Sequence, residues 1–478
     1  MTWELVIGLE VHCQLGTKTK LFCSCSTASF GQPANVNVCP VCTGQPGVLP
    51  VLSRGAVELA FSAGLALGCR LEPRSVFARK NYFYPDLPKG YQVSQYELPF
   101  SRDGKLNIPG KVVGIHRIHM EEDAGKLVHT IGSEELPFSL VDFNRAGVPL
   151  IEIVSEPDMR TAEEAFDYLT NLKAILQYAG ISRCDMEKGE LRCDANVSVR
   201  RPGAPFGTRI EVKNLNSFRS VRDAIEYEAK RQAALIESGG KVTQETRLWD
   251  VEASRTEAMR SKEEAHDYRY FPEPDLVPLV ADAAWLERLR TALPELPAAR
   301  KARFMAEHGL SDYDAEVMTG DRALADYFDA AVKAAPAGVT AKAVANWVQS
   351  DFLARVKAER TTADKAPVTS VMLAELAGLV SSGKVSGKAA KDVFAKAWET
   401  GRNPGTLVAE LGLAQVSDES SVSVWVDEAI AENAKAAADV RAGKEAAVGS
   451  LVGAVMKRSR GKANPALVNK LIKEKLVS

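Results

Sequence analysis

The sequence predicts an α+β fold, with an open antiparallel sheet in the N-terminal part of the chain and an all-α region after it. Up to about residue 290, short segments alternate apolar and polar residues, and Pro, Asn and Tyr are frequent. Beyond that point the sequence is rich in Ala, Lys and Glu, with apolar residues at helical spacing. The first part lacks a regular alternation of strands and helices, which excludes a doubly wound parallel sheet.

The first predicted strand covers residues 5–12, in which every second residue is apolar. Glu10 and His12 share the other face of this strand, because strand side chains repeat with a period of two. The same alternation over residues 191–199 gives Arg192 and Asp194 a common face. Strands with one apolar face and one polar face indicate a sheet that is covered on one side and open on the other.

Two helices are expected within the strand-rich part, one from Thr161 to near Gly180 and one from Ser217 to near Gly239. Ser and Thr favour helix N-termini, and Gly favours the position just after a helix. Further helices are predicted over residues 341–358, 371–379, 388–398, 423–431 and 445–457. The Asn-Pro pair within 401–405 predicts a linker. The predicted domains are therefore residues 1–292, 293–402 and 406–478.

Composition narrows the class of protein. The chain has 478 residues, a formal net charge of −2, 46% hydrophobic and 26% charged residues, which is ordinary for a globular protein. This charge argues against a surface that binds nucleic acid everywhere, although a local basic patch is compatible with it. No apolar run reaches the ~18 residues of a membrane span, and the N-terminus does not resemble a signal or transit peptide. We expect a cytoplasmic protein.

Four cysteines form the sharpest motif, Cys23-x-Cys25 followed by Cys39-x-x-Cys42. Two closely spaced thiol pairs joined by a short loop are typical of tetrahedral zinc. Because all four positions are filled by protein sulfur, the predicted zinc site is structural. The alternative is that the thiols bind no metal or are only loosely bridged. The other cysteines are expected in the core: Cys13, Cys69, Cys184 and Cys193.

Acidic residues recur at the ends of predicted strands, namely Glu10, Glu121, Glu122, Glu152 and Asp194, with His12 among them. Glu152 lies in an apolar run, where a carboxylate is costly unless it is paired or binds a metal. Magnesium prefers such oxygen ligands and serves phosphoryl transfer. The alternative is an ion-pair network with Arg145, Arg192 and Lys213. No glycine-rich phosphate-binding loop is present, so ATP use does not follow from these residues alone.

Two segments rich in aromatic and cationic residues, 79–91 and 267–275, predict either a ligand platform or surface loops held by their aromatic rings. The end of the chain is locally basic, with Lys457, Arg458, Arg460 and Lys462. This run indicates either contacts to a phosphate backbone or a solvated helix face.

Taken together, these segments resemble, nearly end to end, the family formed by the B subunits of aspartyl/glutamyl-tRNA(Asn/Gln) amidotransferases. The strings that carry the resemblance are VIGLEVH (6–12), RKNYFYPD (79–86), HMEEDAGK (119–126), PLIEIVSEPD (149–158), LRCDAN (191–196), EVKNLNSF (211–218) and DYRYFPEPD (267–275). The tail strings GSLVG (449–453) and GKANP (461–465) resemble the small C-terminal helical domain of the family.

The resemblance implies a cradle-shaped catalytic domain related to glutamine synthetase, then a helical domain, then a tail domain. It implies that ATP phosphorylates the side-chain carboxylate of Glu or Asp carried on a misacylated tRNA, and that ammonia then displaces the phosphate. The ammonia comes from a separate amidase (glutaminase), the A subunit, and a small third partner, the C subunit, makes the complex a heterotrimer. Some members of the family lack the metal-binding cysteines, whereas this sequence has all four. The archaeal relatives carry a large inserted domain for which this sequence has no room, which favours the three-subunit form of the enzyme.

The resemblance also suggests roles for individual residues. Glu10, His12 and Glu122 are expected to bind magnesium, with Glu121, Glu152 and Asp194 close by. The predicted groups for phosphate or substrate carboxylate are Lys80, Arg192, Lys213 and Asn214. Two other functions are compatible with the residues: a carboxylate–amine ligase acting on a small free acid, and a non-enzymatic zinc-bearing tRNA-binding subunit.

Overall fold

The computed structural model describes residues 2–132, 134–259, 267–416, 418–459 and 461–476. The chain divides into two compact units, Met1–Leu296 and Pro297–Ser478. The first unit is built around a large antiparallel-rich sheet and the second is helical, so the predicted α+β class is confirmed. The division of the helical part into residues 293–402 and 406–478 stays a prediction.

The strands of the first unit begin with β1 (Glu4–Gln14), β2 (Arg70–Leu71), β3 (Arg74–Ser75), β4 (Ala78–Asn81), β5 (Tyr91–Ser94), β6 (Ser101–Ile108), β7 (Lys111–Glu122) and β8 (Lys126–Ile131). They continue with β9 (Glu134–Asp142), β10 (Pro149–Ser155), β11 (Leu191–Arg200), β12 (Ile210–Leu215), β13 (Thr246–Asp250), β14 (Arg255–Ala258), β15 (Phe271–Pro272) and β16 (Leu279–Val280). The helices of this unit are α1 (Arg54–Ala66), α2 (Ala162–Tyr178), α3 (Phe218–Glu237) and α4 (Ala283–Ala292).

Nine strands form the main sheet in the order β14-β13-β12-β11-β1-β10-β7-β6-β2. Neighbouring strands run antiparallel, apart from the parallel pair β12 and β13. Smaller sheets join β15-β4-β5, β16-β3 and β8-β9. Strand β1 lies between β10 and β11, so side chains on β1 have neighbours on both sides.

One face of the main sheet forms the core of the first unit. Along β1, Ile7, Leu9 and Val11 are fully buried and join a cluster that includes residues of α1, α2 and α3. Burying each such side chain contributes roughly 1.5–3 kcal/mol. The alternate residues of β1 point to the opposite face, which we call the site face. It carries Glu10 and His12, as the alternation in the sequence predicts.

The predicted helix ends in this unit agree with the structure. The Thr161 and Ser217 side chains accept hydrogen bonds from backbone N–H groups in the first turns of α2 and α3. Gly180 and Gly239 follow these helices with φ of +69° and +84°, a conformation that favours glycine.

The second unit contains α5 (Pro297–His308), α6 (Asp312–Met318), α7 (Arg322–Ala334), α8 (Ala341–Trp347), α9 (Leu353–Ala358), α10 (Ser370–Ser381), α11 (Gly387–Thr400), α12 (Pro404–Glu410), α13 (Glu419–Glu432), α14 (Ala434–Arg441), α15 (Ala446–Arg458) and α16 (Pro465–Leu476). A π-helical turn, Val348–Phe352, joins α8 to α9, so the predicted helix 341–358 is continuous. Among the described helices, none is long and apolar enough to cross a membrane.

The predicted linker at 401–405 is a tight turn between two helices. Gly401 ends α11 with φ of +65°, and the Asn403 side chain caps α12. Helix α12 packs against α10 and α11. Helices α13 to α16 share a separate apolar cluster, which includes Val426, Leu451 and Ile472.

Candidate functional site

Three titratable side chains lie in a row across the site face. His12 on β1 is directly opposite Glu152 on β10, and Glu152 is opposite His119 on β7. Paired residues of antiparallel neighbours point to the same face, so the register brings these side chains together. The Oε2 atom of Glu152 lies 3.5 Å from Nε2 of His12 and 3.2 Å from Nε2 of His119. One buried carboxylate thus bridges two imidazole rings.

Glu121 extends this row, because it lies two residues after His119 on the same face of β7. Its Oε1 atom is 3.3 Å from Nε2 of His119 and accepts a hydrogen bond of 2.8 Å from the Ser94 hydroxyl. The Gln92 amide donates to Oε2 at 3.1 Å. Strand β5, which carries Ser94 and Gln92, therefore fixes the orientation of the Glu121 carboxylate.

His12, Glu121 and Glu152 each offer one ligand atom, and these three atoms lie within 4.8 Å of one another. The two carboxylate oxygens are ligands that a hard divalent cation prefers, whereas the imidazole nitrogen is a more usual ligand of transition metals. The sequence analysis assigned magnesium to Glu10, His12 and Glu122, and of these only His12 belongs to the group of three, in which Glu121 and Glu152 are the carboxylates.

Within this row, the carboxylates and the imidazole rings stabilise one another's charged forms. Burial disfavours the charged form of Glu152, but His119 and His12 outweigh burial and hold the pKa of Glu152 well below its usual range. Burial likewise opposes a charge on His119, yet Glu152 and Glu121 raise the pKa of His119 to about 9. The two carboxylates thus favour the charged form of the His119 imidazole.

Glu10 and Asp194 continue the polar surface toward β11. They are opposite each other in the β1–β11 register, and Glu10 accepts a hydrogen bond of 2.9 Å from the Asn196 amide. Burial and the negative charges of Glu152, Glu211 and Asp194 raise the pKa of Glu10. Negative charge is thus in excess here, and a bound cation would relieve it.

The predicted cationic residues lie around these acids. Lys213 Nζ is 2.7 Å from Asp194 and 2.9 Å from Glu211. Lys80 Nζ lies 5.0 Å from the centre of the Tyr268 ring. Burial opposes the charge on Lys80, but nearby groups, among them Glu121 and Glu152, raise its pKa above the usual range.

Arg192 is opposite His12 in the β1–β11 register. Its Nη2 atom lies 2.9 Å from the carboxylate of Asp123, whose other oxygen accepts from the Gln14 amide at 2.8 Å. Asp123 therefore fixes the Arg192 guanidinium at the edge of the site face. The sequence prediction included Arg192 but not its partner.

Two predicted site residues have a different geometry from the one expected. Glu122 does not lie with Glu10 and His12, because it follows Met120 on the core face of β7 and neighbouring strand residues point to opposite faces. There it pairs with Lys89 and accepts a hydrogen bond of 3.0 Å from the backbone of Val93.

Asn214 is the second departure. It adopts φ of +66° at a register shift between β11 and β12, and its amide donates to the Trp249 carbonyl at 3.1 Å. Its described side-chain hydrogen bond therefore holds the backbone of β13.

The four motif cysteines come together in the loop between β1 and α1. Their sulfur atoms lie within 4.8 Å of one another. The backbone N–H of Cys39 donates to Cys42 Sγ at 3.2 Å, and Lys20 Nζ lies 3.5 Å from the same sulfur. The hydrogen bond from Cys23 lowers the pKa of Cys42 to about 4. This set of donors fits a closed tetrahedral zinc site.

A cavity of about 140 Å³ separates this loop from the ends of the strands. Its lining includes Cys42, Lys89, Tyr91, Glu122 and Glu273. Glu122 thus belongs to this cavity, next to the cysteine loop. The remaining cysteines are buried, as predicted: Cys13, Cys69, Cys184 and Cys193.

The predicted tRNA contacts lie at the end of the second unit. Arg458 forms ion pairs of 2.5 and 2.6 Å with Glu428 and Glu432, so part of the basic run is neutralised within the unit. Lys457 and Lys462 are exposed and form no ion pair with another described residue. Arg460 lies outside the described residues.

His119 is the main site residue that the sequence analysis did not assign. Its position two residues before Glu121 in a strand was the available signal, since it predicts a shared face. The hydrogen bonds from Gln92 and Ser94 to Glu121 had no such signal in the sequence, because they depend on β5 lying beside β7.

Comparison with known sequences shows which protein family the chain resembles. Residues 5–287 match the GatB/GatE catalytic domain, and residues 326–476 match the GatB domain. The chain is also 55% identical to proteins from Moorella thermoacetica and Geotalea daltonii, and 54% identical to one from Geobacter sulfurreducens. Each comparison covers 100% of both chains, and each relative is named as the B subunit of an aspartyl/glutamyl-tRNA(Asn/Gln) amidotransferase.

The chain belongs to this family, the B subunits of the aspartyl/glutamyl-tRNA(Asn/Gln) amidotransferases. The resemblance found in the sequence motifs is thereby confirmed.

Proposed function

We propose that this chain is the carboxylate-activating subunit of a tRNA-dependent amidotransferase. It acts on misacylated Glu-tRNA(Gln), Asp-tRNA(Asn) or both, and the products are Gln-tRNA(Gln) and Asn-tRNA(Asn). Membership of the B-subunit family supports this function. The observation that carries the proposal is the buried row of His12, Glu152, His119 and Glu121 on the site face.

The reaction needs activation because a carboxylate oxygen is a very poor leaving group. The side-chain carboxylate attacks the γ-phosphorus of ATP, so a carboxyl–phosphate bond forms and ADP leaves. Ammonia then attacks the carbonyl carbon of the acyl phosphate, and inorganic phosphate leaves as the amide forms. The protein therefore has to hold two anionic reactants close together.

The side chains of the site face suit this task. We assign His12, Glu121 and Glu152 as the residues that hold magnesium, with Glu10 and Asp194 beside them. Magnesium supplies neutralising charge for the phosphoryl group when it is bound. Lys80, Arg192 and Lys213 orient phosphate oxygens or the substrate carboxylate through charge-assisted hydrogen bonds. Burial strengthens each of these interactions.

We assign zinc to Cys23, Cys25, Cys39 and Cys42, in a structural role. A filled tetrahedral set of thiolates leaves no coordination position for a substrate. The metal would hold the loop that lines the cavity beside Glu122. Metal analysis of the purified protein should find one zinc per chain.

The partners follow from the names of the relatives, which describe one subunit of a larger enzyme. We propose that an amidase, the A subunit, releases ammonia from glutamine, and that a small C subunit makes the complex a heterotrimer. The tail binds the phosphate backbone of tRNA through its basic run, Lys457, Arg458, Arg460 and Lys462, in which Arg458 contributes less because it pairs with Glu428 and Glu432. The cytoplasmic location expected from the sequence stays a prediction.

The test is an assay of the reconstituted complex with Glu-tRNA and Asp-tRNA, in which ADP and amide are measured separately. We expect His12→Ala to abolish formation of both ADP and amide while tRNA binding stays within about threefold of wild type. His116→Ala is the matched control, because His116 is an exposed histidine of β7 that pairs with Glu156. Wild-type ADP formation by His12→Ala would refute the assignment.

A further inference from the structure

Lys20 is the most unusual charged residue of the first unit. It is fully buried, with 0% of its surface exposed, although lysine is almost never buried without a partner of opposite charge. Its Nζ donates to the carbonyl oxygens of Asn37 at 2.7 Å and Phe143 at 3.3 Å, and lies 3.5 Å from Cys42 Sγ. Two of these three partners are neutral.

No carboxylate forms an ion pair with Lys20 among the residues that the structure describes. Glu122, which lines the same cavity, is paired with Lys89 instead. A buried ammonium without an opposite charge costs several kcal/mol. The group positioned to supply that charge is the Cys42 thiolate.

We propose that Lys20 is a positioning residue of the four-cysteine site, and that its ammonium compensates the charge of the zinc-bound thiolates. The proposal rests on the zinc assignment made above. Four thiolates around Zn²⁺ carry a net charge of −2, and a buried ammonium beside Cys42 reduces it to −1. Groups that contact metal ligands in this way raise metal affinity, and their loss typically costs about 10- to 100-fold.

Lys20 also connects the cysteine loop to the turn before β10. Its backbone N–H donates to Cys25 at 3.0 Å, while the next residue, Leu21, donates to Gly147 at 2.8 Å. Gly147 in turn donates to Asp123 at 2.9 Å, at the edge of the site face. Hydrogen bonds therefore join the cysteine loop, through Lys20 and Leu21, to the end of β7, and a zinc ion held by the four cysteines would fix the loop end of this chain.

If Lys20 only stabilised the fold, its replacement would affect the stability of the loop but not its affinity for zinc. Its hydrogen bonds to Asn37 and Phe143 would then stabilise the loop equally with and without metal. Compensation of thiolate charge predicts instead that Lys20 matters for zinc affinity itself. Zinc affinity and the absorption of a cobalt-substituted site are therefore the deciding measurements.

The experiment compares Lys20→Met with Lys18→Met in the full-length chain. Lys18 is exposed and two residues away, so it controls for loss of a nearby positive charge. Zinc is titrated against a chromogenic chelator, and thiolate-to-cobalt absorption is recorded after exchange with Co²⁺. We expect zinc to bind about 10- to 100-fold more weakly to Lys20→Met, with wild-type affinity in Lys18→Met. Affinity of Lys20→Met within twofold of wild type would overturn the proposal.

Two further variants cover the case in which Lys20→Met does not fold. Lys20→Gln keeps hydrogen-bond donors but removes the charge, whereas Lys20→Arg keeps the charge. We expect weakened zinc binding only in Lys20→Gln, and equal affinity in the two variants would contradict charge compensation. A wild-type chain that amidates tRNA but contains no zinc would refute the zinc assignment while leaving the amidotransferase function intact.

Discussion

The two units of the chain use charged residues in different ways. On the site face, negative charges crowd together, and Glu10 has a raised pKa because of burial and the acids Glu152, Glu211 and Asp194. In the helical unit, Asp314 is bound by Lys342, Ser311 and Gln349, which lower its pKa. Acids that crowd together without enough cationic partners mark a surface that can bind a cationic ligand. Acids whose charge is paired within the protein, such as Asp314, serve the stability of the fold.

Of the variants that test this difference between the two units, Glu152→Gln should have the largest effect. The change keeps the shape of the side chain but removes the negative charge that both His12 and His119 contact. We expect the rate of ADP formation to fall at least about 100-fold, as when a preorganised charged group is lost from an active site. Steady-state assay of the complex measures this effect.

Glu156→Gln is the control for that variant, since Glu156 is a half-exposed acid just after β10 that pairs with His116. It should retain wild-type activity. An active Glu152→Gln protein would show that the row serves the fold and not the reaction.

Cys42→Ser tests whether the cysteine loop contributes to the rigidity of the sheet unit. Because one ligand of the predicted zinc is lost, we expect the free energy of unfolding to fall by about 2–4 kcal/mol and Tm to fall by roughly 5–10 °C. Calorimetry and metal analysis measure the two effects. Cys69→Ser leaves all four ligands in place and should keep its zinc. Unchanged zinc content in Cys42→Ser would contradict the assignment.

The basic tail tests whether a cationic side chain that is paired within the protein contributes less to tRNA binding than an unpaired one. Lys457 and Lys462 are exposed, whereas Arg458 is paired with Glu428 and Glu432. We expect the double change Lys457→Ala and Lys462→Ala to weaken tRNA binding about tenfold and to reduce its salt dependence. Arg458→Ala should weaken binding less than about threefold. The reverse order in filter-binding titrations would show that the ion pairs open when tRNA binds.

The smallest effect is expected for Asp314→Asn, because the change preserves part of the helix cap. Asp314 accepts from Ser311 and Lys342 at 2.6 Å each. We expect the helical unit to lose about 1 kcal/mol in its free energy of unfolding at pH 7. Asp312→Asn, at an exposed position of the same helix, should change stability less.

The pH dependence of the Asp314 contribution follows from the direction of its shift. Its pKa lies below the usual 3.8 in the folded chain, so the contribution is complete above pH 3.8 and is lost as pH falls below it. The difference between wild type and Asp314→Asn should therefore shrink in acid unfolding experiments. A constant difference down to about pH 2 would contradict the ion pair.

The cysteine loop and the site face also differ in what the sequence could predict. The four cysteines lie within residues 23–42, so their spacing alone predicts a common site. The faces of β1 and β11 followed from alternation, because side-chain direction along a strand is a local property. That Glu121 and Glu122 must point to opposite faces was equally contained in the sequence.

Which strands are neighbours was not predictable in the same way. The pairing of β1 with β10 joins His12 to Glu152, which is distant in sequence, and it depends on packing of the whole sheet. The partners of Lys89 and Lys20 depend on how loops fold over the strand ends. Long-range contacts of this kind carry no local pattern, so a partner such as Asp123 of Arg192 became evident only in the structure.

The alternation along β1 also limits how the length of this segment can change. Deleting one residue before Glu10 would move Glu10 and His12 into the hydrocarbon interior and turn Leu9 and Val11 outward. Because β1 is hydrogen-bonded on both edges, no free edge can absorb the slip. A point substitution in β1 changes a single side chain of the site face or of the core, whereas a single-codon insertion or deletion here would remove the reaction chemistry and the interior packing together.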